Sequence, residues 1–237
     1  MTDAKPTIGV LGLGAMGLGI AQVFAAAGHA VRVTDASPDA RATALTRLST
    51  ALQPRIDKGA MTAGERSGLL SRLTIAESIE DIAPAEMVVE AIVERLPAKQ
   101  DVFARLEQHL SPQSVLATNT SSLSVAAIAR GLAHPERLIG LHFFNPAPVM
   151  RLVELIPHAG TTPQALTTAR TLTESAGKTV IQCADRPGFI VNRCARPFYG
   201  EALALLEEGR GAGEIDAAMT AAGYRLGPFA LIDLIGA

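Results

Sequence analysis

The fold of this chain is decided by the stretch Ile8-Gly9-Val10-Leu11-Gly12-Leu13-Gly14-Ala15-Met16-Gly17, in which a short apolar run meets spaced glycines. The apolar run is brief and partly β-branched, which is typical of a buried parallel strand. In the G-x-G-x-x-G pattern, Gly12 allows a tight turn, Gly14 lets a diphosphate approach the backbone, and Gly17 lets the following helix pack closely. The stretch therefore predicts a dinucleotide site, with a glycine-rich turn that binds nothing as the alternative.

A second predicted strand strengthens the dinucleotide interpretation. The helix after Gly17 stops at Gly28, and a second predicted strand, 30–34, then ends on Asp35, eighteen residues beyond Gly17. An acid at this point accepts hydrogen bonds from the adenosine ribose hydroxyls and repels a 2′-phosphate. The order of strand, glycines, helix, strand and acid thus predicts NAD as the cofactor, in preference to NADP.

Composition limits the classes of partner. Lys and Arg number 21 against 23 Asp and Glu, a formal charge of −2, so no bulk charge favours nucleic acid or an anionic membrane. Cys183 and Cys194 lie in neither a CxxC nor a metal-type cluster, which favours reduced thiols in the cytoplasm and predicts no metal site. The polar start 1–6 is unlike a signal peptide, and no apolar run approaches the roughly 20 residues of a membrane span.

Strands and helices alternate along most of the chain, which predicts a Rossmann-type, doubly wound, mostly parallel α/β sheet. The further predicted strands are 73–75, 87–93, 115–119, 138–143, 151–156 and 179–183. Helices are predicted at about 97–110 and 163–176.

The polar stretch at about 39–72 predicts a helical hairpin inserted between the second and third strands. Ser37 and Pro38 start its first helix, and Thr62 and Glu65 have the spacing of a capping box for the second. Its basic residues either contact a phosphorylated ligand or form a solvated charged face. These residues are Arg47, Arg55, Lys58, Arg66 and Arg72.

Beyond Asp185 the strand pattern stops and helices follow, at about 189–208, 214–222 and from 227 onward. We therefore predict an NAD-binding domain over residues 1–185 and a small all-α substrate and dimerisation domain over 186–237. The apolar ending 229–237 has nothing left to pack on in this pattern. From that ending we expect the chain to be truncated and its second domain to be incomplete.

Four longer motifs together resemble one family, the NAD-dependent L-3-hydroxyacyl-CoA dehydrogenases of fatty-acid and aromatic-acid breakdown. The motifs are Val89-Glu90-Ala91-Ile92-Val93-Glu94, Asn119-Thr120-Ser121-Ser122-Leu123-Ser124, Gly140-Leu141-His142-Phe143-Phe144-Asn145-Pro146-Ala147-Pro148-Val149-Met150 and Pro187-Gly188-Phe189-Ile190-Val191-Asn192-Arg193. The resemblance covers essentially the whole chain.

The resemblance implies a catalytic set. His142 corresponds to the base that takes the hydroxyl proton, a role that suits the reference pKa of histidine, about 6.5. Glu154 corresponds to the acid that orients the imidazole, and both are expected at or beside adjacent strand ends. Ser121 and Asn192 correspond to neutral groups that hydrogen-bond the substrate oxygen or the histidine.

Each of these residues also has a structural alternative. His142 is otherwise a core histidine, and Glu154 is a surface charge at a strand end. Ser121 is otherwise a helix N-cap, and Asn192 is a polar group on a buried helix.

The resemblance also extends the cofactor site. Glu94 and Lys99 match positions near the nicotinamide ribose, although an ordinary surface ion pair is the alternative. Asn119 is expected beside the nicotinamide ring, at the end of the fifth strand. Asn145 is expected to support the site from just before Pro146. The residues expected to bind NAD are Gly12, Gly14, Ala15, Met16, Gly17, Asp35, Glu94, Lys99, Asn119 and Asn145.

The implied substrate is an acyl-CoA and the implied full-length assembly a homodimer. Segment 193–202 looks like the branch acting on 3-hydroxyadipyl-CoA in phenylacetate breakdown, although 3-hydroxybutyryl-CoA stays open, as do the residues that bind CoA. The alternative enzyme class, the 3-hydroxyacid or phosphogluconate-type dehydrogenases, uses a second-domain lysine, and this chain has none after Lys178. A non-catalytic, NAD-binding structural relative is the other alternative.

Overall fold

A computed structural model describes residues 5–235 of the 237-residue chain. The chain divides into two compact units, Met1–Pro187 and Gly188–Ala237, named here the N-terminal and C-terminal units. The outermost residues of the two predicted domains, 1–4 and 236–237, lie outside the described residues.

An eight-stranded sheet forms the centre of the N-terminal unit. Its strands are β1 (Ile8–Leu11), β2 (Val31–Thr34), β3 (Leu73–Ile75), β4 (Met87–Glu90), β5 (Val115–Thr118), β6 (Leu138–Phe143), β7 (Leu152–Ile156) and β8 (Thr179–Gln182). Strands β1 to β6 pair in parallel in the order 3-2-1-4-5-6, the order of dinucleotide-binding sheets. This confirms the predicted Rossmann-type fold. Strand β7 runs antiparallel to β6 and parallel to β8.

Helices cover this sheet and bury its apolar strands. They are α1 (Ala15–Ala26), α2 (Pro38–Asp57), α3 (Ala63–Leu70), α4 (Leu96–Leu106), α5 (Val125–Ala129) and α6 (Pro163–Ser175). Every residue of β1, β4 and β5 is buried, as expected for central parallel strands. Phe24 of α1 packs edge-on against Phe143 of β6, with ring centroids 6.2 Å apart.

The inserted hairpin consists of α2 and α3, and its caps confirm the sequence prediction. The Ser37 hydroxyl accepts a hydrogen bond from the Ala40 N–H at 3.2 Å. The Thr62 hydroxyl accepts from the Glu65 N–H at 3.1 Å, and the Glu65 carboxylate accepts from the Thr62 N–H at 2.7 Å. The reciprocal bonds satisfy two backbone donors at the start of α3.

The fourth strand is shorter than predicted. It ends at Glu90 and not at Val93, because the Glu90 carboxylate accepts the Ile92 N–H at 2.8 Å and turns the chain out of the sheet. Val93 is then 62% exposed. Apolar character alone did not distinguish this turn from a strand.

Helix α5 was not predicted from the sequence, and the position of its N-cap bears on the structural alternative for Ser121. Its N-cap is Ser124, whose hydroxyl accepts the Ala127 N–H at 3.2 Å. The alternative reading of Ser121 as this N-cap is therefore wrong, because Ser121 lies three residues ahead of the cap in the loop after β5.

The C-terminal unit contains α7 (Val191–Glu207), α8 (Ala212–Ala221) and α9 (Pro228–Ile235). Helix α7 begins two residues later than predicted, because Gly188 and Phe189 adopt positive φ values of 76° and 48°. The Asp216 carboxylate of α8 accepts the N–H groups of Phe229 and Ala230, both at 2.9 Å, at the start of α9.

The apolar ending was expected to have nothing to pack on, and that expectation is wrong for its described part. Helix α9 contacts both α7 and α8 within the C-terminal unit. Residues 236 and 237 of that ending lie outside the described residues.

Candidate active site

Three glycines bring α1 close to the carboxyl end of β1. Gly12 has a φ of +92°, and a Cβ atom there would lie 2.5 Å from the Ala91 carbonyl oxygen. A Cβ atom on Gly17 would overlap the Gly12 carbonyl oxygen. Apart from Gly14 and its two chain neighbours, no atom of residues 5–235 lies within 4 Å of the Cβ position at Gly14, so the backbone there is open to a ligand. The first and third glycines close the turn, and the second leaves space beside it.

The N-terminus of α1 is suited to an anion. No side chain caps this helix. The first N–H groups of a helix, here those of Ala15, Met16 and Gly17, have no carbonyl partner within it, and they carry partial positive charge. The open backbone at Gly14 therefore adjoins donors that fit the diphosphate of a dinucleotide.

Asp35 directly follows β2 and holds the glycine loop. Its Oδ2 atom accepts the Leu13 N–H at 2.7 Å, and its Oδ1 atom accepts the Ser37 N–H at 2.8 Å. A carboxylate offers about four lone-pair sites, so capacity remains for hydroxyl donors of a ligand. Arg41 of α2 donates to the Asp35 carbonyl oxygen at 2.7 Å.

A cavity of about 720 Å³ lies at the carboxyl ends of β1, β2 and β4, and we name it the outer cavity. Gly12, Gly14, Asp35 and Arg41 line it. Strands β2 and β4 flank β1 on opposite sides, so the strand order reverses there. Open α/β sheets bind their ligands at this switch point.

A second cavity of about 320 Å³, the inner cavity, shares Ala91 and Ile92 with the outer one. It joins the ends of β4, β5 and β6, which meet at one edge of the sheet. The predicted site residues that line it are Met16, Glu94, Asn119, Ser121, His142 and Asn145.

His142 and Glu154 face each other across the antiparallel strands β6 and β7. They are register partners, and the His142 Nδ1 atom lies 2.8 Å from the Glu154 Oε2 atom. Glu154 is fully buried and the His142 side chain is 7% exposed. Because a carboxylate only accepts, Nδ1 carries the proton in this contact, and Nε2 is the basic nitrogen.

An aromatic ring and an uncharged thiol lie near this pair. The Phe144 ring centroid lies 4.5 Å from that of His142. Burial, and then the negative charges of Glu154 and Asp185, raise the pKa of the Cys183 thiol to about 11. That thiol is therefore uncharged at neutral pH and does not compete as a base.

Glu94 organises the loop that carries Ser121. Its Oε1 atom accepts the Ser121 N–H at 2.9 Å, the Ser122 N–H at 3.1 Å and the Thr120 hydroxyl. Burial alone would raise the Glu94 pKa, but the Thr120 hydroxyl, the Lys99 charge and the Ser121 N–H together hold it below its ordinary value. Glu94 is thus an anion at neutral pH and fixes the loop beside His142.

Lys99 of α4 joins two carboxylates and is almost wholly buried. Its Nζ atom lies 2.6 Å from a Glu90 oxygen and 3.2 Å from a Glu94 oxygen, and its side chain is 1% exposed. The alternative of an ordinary surface pair is therefore wrong. Lys99 lines neither of the two cavities described above and stands behind Glu94.

The three asparagines occupy different positions. The Asn119 side chain accepts the Phe143 N–H at 2.8 Å and so joins the ends of β5 and β6. Asn145 is exposed, two residues after β6. Asn192 is the second residue of α7, in the C-terminal unit.

Sequence reasoning missed several supporting residues. Glu90 is fully buried and accepts the Thr118 hydroxyl at 2.7 Å in addition to its bond with Lys99. The signal for it was one acid in an otherwise apolar strand, with a lysine nine residues later. Arg41 and Thr120 carried no comparable signal, because both lie in polar segments.

The strand order, the glycine loop and the acid after β2 define a dinucleotide-binding protein of the Rossmann class. Comparison with known proteins places it more closely. Residues 7–186 match the 3-hydroxyacyl-CoA dehydrogenase NAD binding domain, and residues 188–237 match the C-terminal domain of 3-hydroxyacyl-CoA dehydrogenase. The chain belongs to the 3-hydroxyacyl-CoA dehydrogenase family, and NAD is its cofactor.

Three relatives illustrate the similarity. The chain is 46% identical over 232 residues to 3-hydroxyadipyl-CoA dehydrogenase of Escherichia coli K12, covering 97% of this chain and 49% of that protein. It is 40% identical over 229 residues to the probable 3-hydroxybutyryl-CoA dehydrogenase of Bacillus subtilis 168, covering 96% and 80%. The crystal structure of (S)-3-hydroxybutyryl-CoA dehydrogenase from Ralstonia eutropha superposes with a TM-score of 0.93 at 34% identity, covering 97% and 82%. The chain thus spans about half the length of the first of these relatives.

Residues 5–235 contain no helix with the length and apolar character needed to cross a membrane.

Proposed function

We propose that this chain is an NAD-dependent L-3-hydroxyacyl-CoA dehydrogenase, in which His142 acts as the general base and Glu154 orients it. The observation that carries the proposal is the buried His142–Glu154 pair, 2.8 Å apart, whose histidine lines a cavity that adjoins the glycine loop. Bound NAD⁺ supplies the acceptor for the hydride that leaves the hydroxyl-bearing carbon. The chain itself supplies the site for the hydroxyl proton.

In this proposal the proton moves to Nε2 of His142. The imidazole is then a cation, and the Glu154 carboxylate at Nδ1 stabilises it and holds its orientation. Because Glu154 is fully buried, solvent does not weaken this interaction. Ser121, which lines the same cavity, donates to the substrate oxygen as it becomes a carbonyl. Asn192 is assigned the matching role from the C-terminal unit.

Cofactor contacts are assigned along the same lines. The backbone of Gly12, Gly14, Ala15, Met16 and Gly17 holds the diphosphate, and Asp35 holds the adenosine ribose. Around the inner cavity Glu94, Asn119 and Asn145 position the nicotinamide end. Lys99 belongs to this set because its ammonium group favours the ionised form of Glu94 and holds that side chain in position.

The substrate is proposed to be a 3-hydroxyacyl-CoA, since relatives are named for 3-hydroxyadipyl-CoA and 3-hydroxybutyryl-CoA. A steady-state comparison of these two compounds, following NADH absorbance, tests the proposal and ranks the substrates. Absence of turnover with both, in protein shown to bind NAD, would contradict it. The proposal also includes a homodimeric assembly and a cytoplasmic location. Light scattering tests whether the protein is a homodimer.

The alternative enzyme class is disfavoured by the place of its required lysine. The last lysine of the chain, Lys178, donates its ammonium protons to the Ala147 and Met150 carbonyl oxygens, at 2.6 and 2.8 Å. It does not line the inner cavity. The presence of both His142 and Glu154 likewise disfavours a non-catalytic relative.

We expect Glu154→Gln to lower kcat less than loss of the histidine does. Glutamine keeps an oxygen acceptor for Nδ1 but removes the negative charge that stabilises the imidazolium. A hydrogen bond to a charged group is worth about 1.5–3 kcal/mol, or roughly 10- to 150-fold in rate. Steady-state kinetics measures the loss, with Glu136→Gln, an exposed glutamate, as the matched control. An unchanged kcat would remove Glu154 from the mechanism.

We expect Asp35→Ala to raise the Kd for NAD about tenfold or more and to reduce discrimination against NADP. The variant loses acceptors for the ribose and the bond that holds Leu13, and it removes the charge that repels a 2′-phosphate. Arg41 in the same cavity should then favour NADP, so adding Arg41→Ala should reverse the gain. Titration with both cofactors decides, and an unaltered preference would exclude this role for Asp35.

A further inference from the structure

A carboxylate from the end of the N-terminal unit holds the helix that follows the Ser121 loop. Asp185 lies three residues beyond β8 and accepts hydrogen bonds from three donors at the start of α5. Its Oδ1 atom lies 3.0 Å from the Val125 nitrogen, and its Oδ2 atom lies 2.8 Å from both the Ser124 hydroxyl oxygen and the Ala126 nitrogen. The first N–H groups of a helix carry partial positive charge, so a carboxylate suits them as an acceptor.

Helix α5 depends on these bonds because it is short. It has only five residues, and a helix of that length is not stable by itself. Its first two N–H groups bind Asp185 and its third binds the Ser124 hydroxyl. Val125 also packs it onto the sheet, since a Cβ atom on Gly140 of β6 would lie 2.8 Å from a Val125 methyl carbon. The position of α5 is therefore set by the two side-chain acceptors and by this one buried contact.

The bonds of Asp185 join parts of the sheet that are not neighbours. Helix α5 follows β5 whereas Asp185 follows β8, and β6 and β7 lie between these two strands. The strands in between carry His142 and Glu154, and Glu154 is also the register partner of Ile181 in β8. Asp185 therefore fixes the end of the Ser121 loop relative to the strands that hold the candidate base and its acid.

The loop itself is short and is held from two sides. Only residues 119–124 separate β5 from α5. Glu94 accepts hydrogen bonds from the middle of this segment, and Asp185 accepts one from its last residue. Ser121 lies three residues ahead of Ser124, a span of at most about 11 Å of chain. A shift at the start of α5 therefore reaches Ser121 with little slack to absorb it.

We propose that Asp185 is a positioning residue for Ser121, and that it holds the start of α5 so that the Ser121 hydroxyl meets the substrate oxygen. This rests on the proposed function for the role of Ser121. Asp185 is not among the residues that line the inner or the outer cavity, so it acts through the loop and not on the substrate. A misplacement of about 1 Å can cost a reaction about 10²-fold in rate, so the position of a single hydroxyl matters.

The test compares Asp185→Asn with Glu107→Gln. Asparagine keeps the size of the side chain, but it turns an NH₂ group toward a backbone N–H that needs an acceptor. Glu107 is the matched control, because its two oxygens also accept two consecutive backbone N–H groups of the N-terminal unit, those of Ala133 and His134, at 2.9 and 3.1 Å. Its charge also acts on Arg137, so the control substitution is not the milder one.

Amide hydrogen exchange followed by NMR tests the coupling without turnover. We expect Asp185→Asn to speed exchange at Ser121 and Ser122 about tenfold, because their N–H groups bind Glu94 and respond only if the loop itself loosens. The control should leave both rates unchanged. Faster exchange confined to the first two N–H groups of α5 would show that Asp185 is only a helix cap, and the proposal would be wrong.

Kinetics tests whether the effect passes through Ser121. We expect Asp185→Asn to lower kcat for 3-hydroxybutyryl-CoA about tenfold and to leave the Kd for NAD unchanged, whereas Glu107→Gln should alter neither. In a Ser121→Ala background, Asp185→Asn should cause little further loss, since the group it positions is already absent. An equal loss of kcat in both backgrounds, or no loss in either, would overturn the proposal.

A second variant approaches the same bond from the loop. Ser124→Ala removes the 2.8 Å bond to Asp185 and should speed exchange at Ser121 and Ser122 in the same direction. Unchanged exchange at these two residues would contradict the proposal even if Asp185→Asn did not fold. Faster exchange in a protein that oxidises no 3-hydroxyacyl-CoA would support the coupling and would count only against the proposed function.

Discussion

We expect His142→Gln to retain NAD binding and to lose about 10²- to 10⁴-fold in kcat, the usual contribution of a positioned acid–base group. Glutamine is polar and of similar reach, so it can occupy the space beside Phe144 and retain a hydrogen bond to the buried Glu154. It cannot accept a proton at the position of Nε2. The loss should therefore appear in kcat and not in cofactor affinity.

The measurement combines steady-state oxidation of 3-hydroxybutyryl-CoA with calorimetric titration of NAD. His134→Gln is the matched control, because His134 also contacts a glutamate but is 58% exposed. We expect that control to behave as the unaltered protein. A His142→Gln variant with near wild-type turnover would rule out the proposed mechanism, whatever the substrate.

We expect Lys99→Met to lower the free energy of unfolding by about 3–5 kcal/mol. Methionine has a similar length, but it removes the positive charge that lies 2.6 Å from the fully buried Glu90. The carboxylate would keep its bonds from Ile92 and Thr118 and still lack a countercharge. Glu94 would lose its partner as well, which should loosen the Ser121 loop and lower kcat.

Urea titration of the full chain measures the change. Lys58→Met, an exposed lysine on the hairpin, should stay within about 0.5 kcal/mol of wild type. The double variant Lys99→Met/Glu90→Gln should recover part of the loss, because removing both charges leaves neither uncompensated. Equal stability of Lys99→Met and Lys58→Met would show that the buried pair contributes nothing.

The sequence by itself was sufficient for the fold of the N-terminal unit and its cofactor. The glycine pattern, the apolar strands and the caps at Ser37 and Thr62 are local signals, in which neighbours along the chain decide the conformation. These signals did not predict where a single side-chain hydrogen bond ends a strand. Glu90 ends β4 through a bond to Ile92, which hydropathy cannot register.

The candidate site depended on the tertiary structure to a greater degree. Only the pairing of β6 with β7 sets His142 opposite Glu154, since a shift of one residue would turn either side chain to the other face. The sequence did not separate a surface Lys99 from a buried one. Nor did it show that Asp185 and Ser124, 61 positions apart, share a hydrogen bond. Conformation is set largely by near neighbours in sequence, whereas burial and charge pairing are set by neighbours in space, and these are known only once the chain has folded.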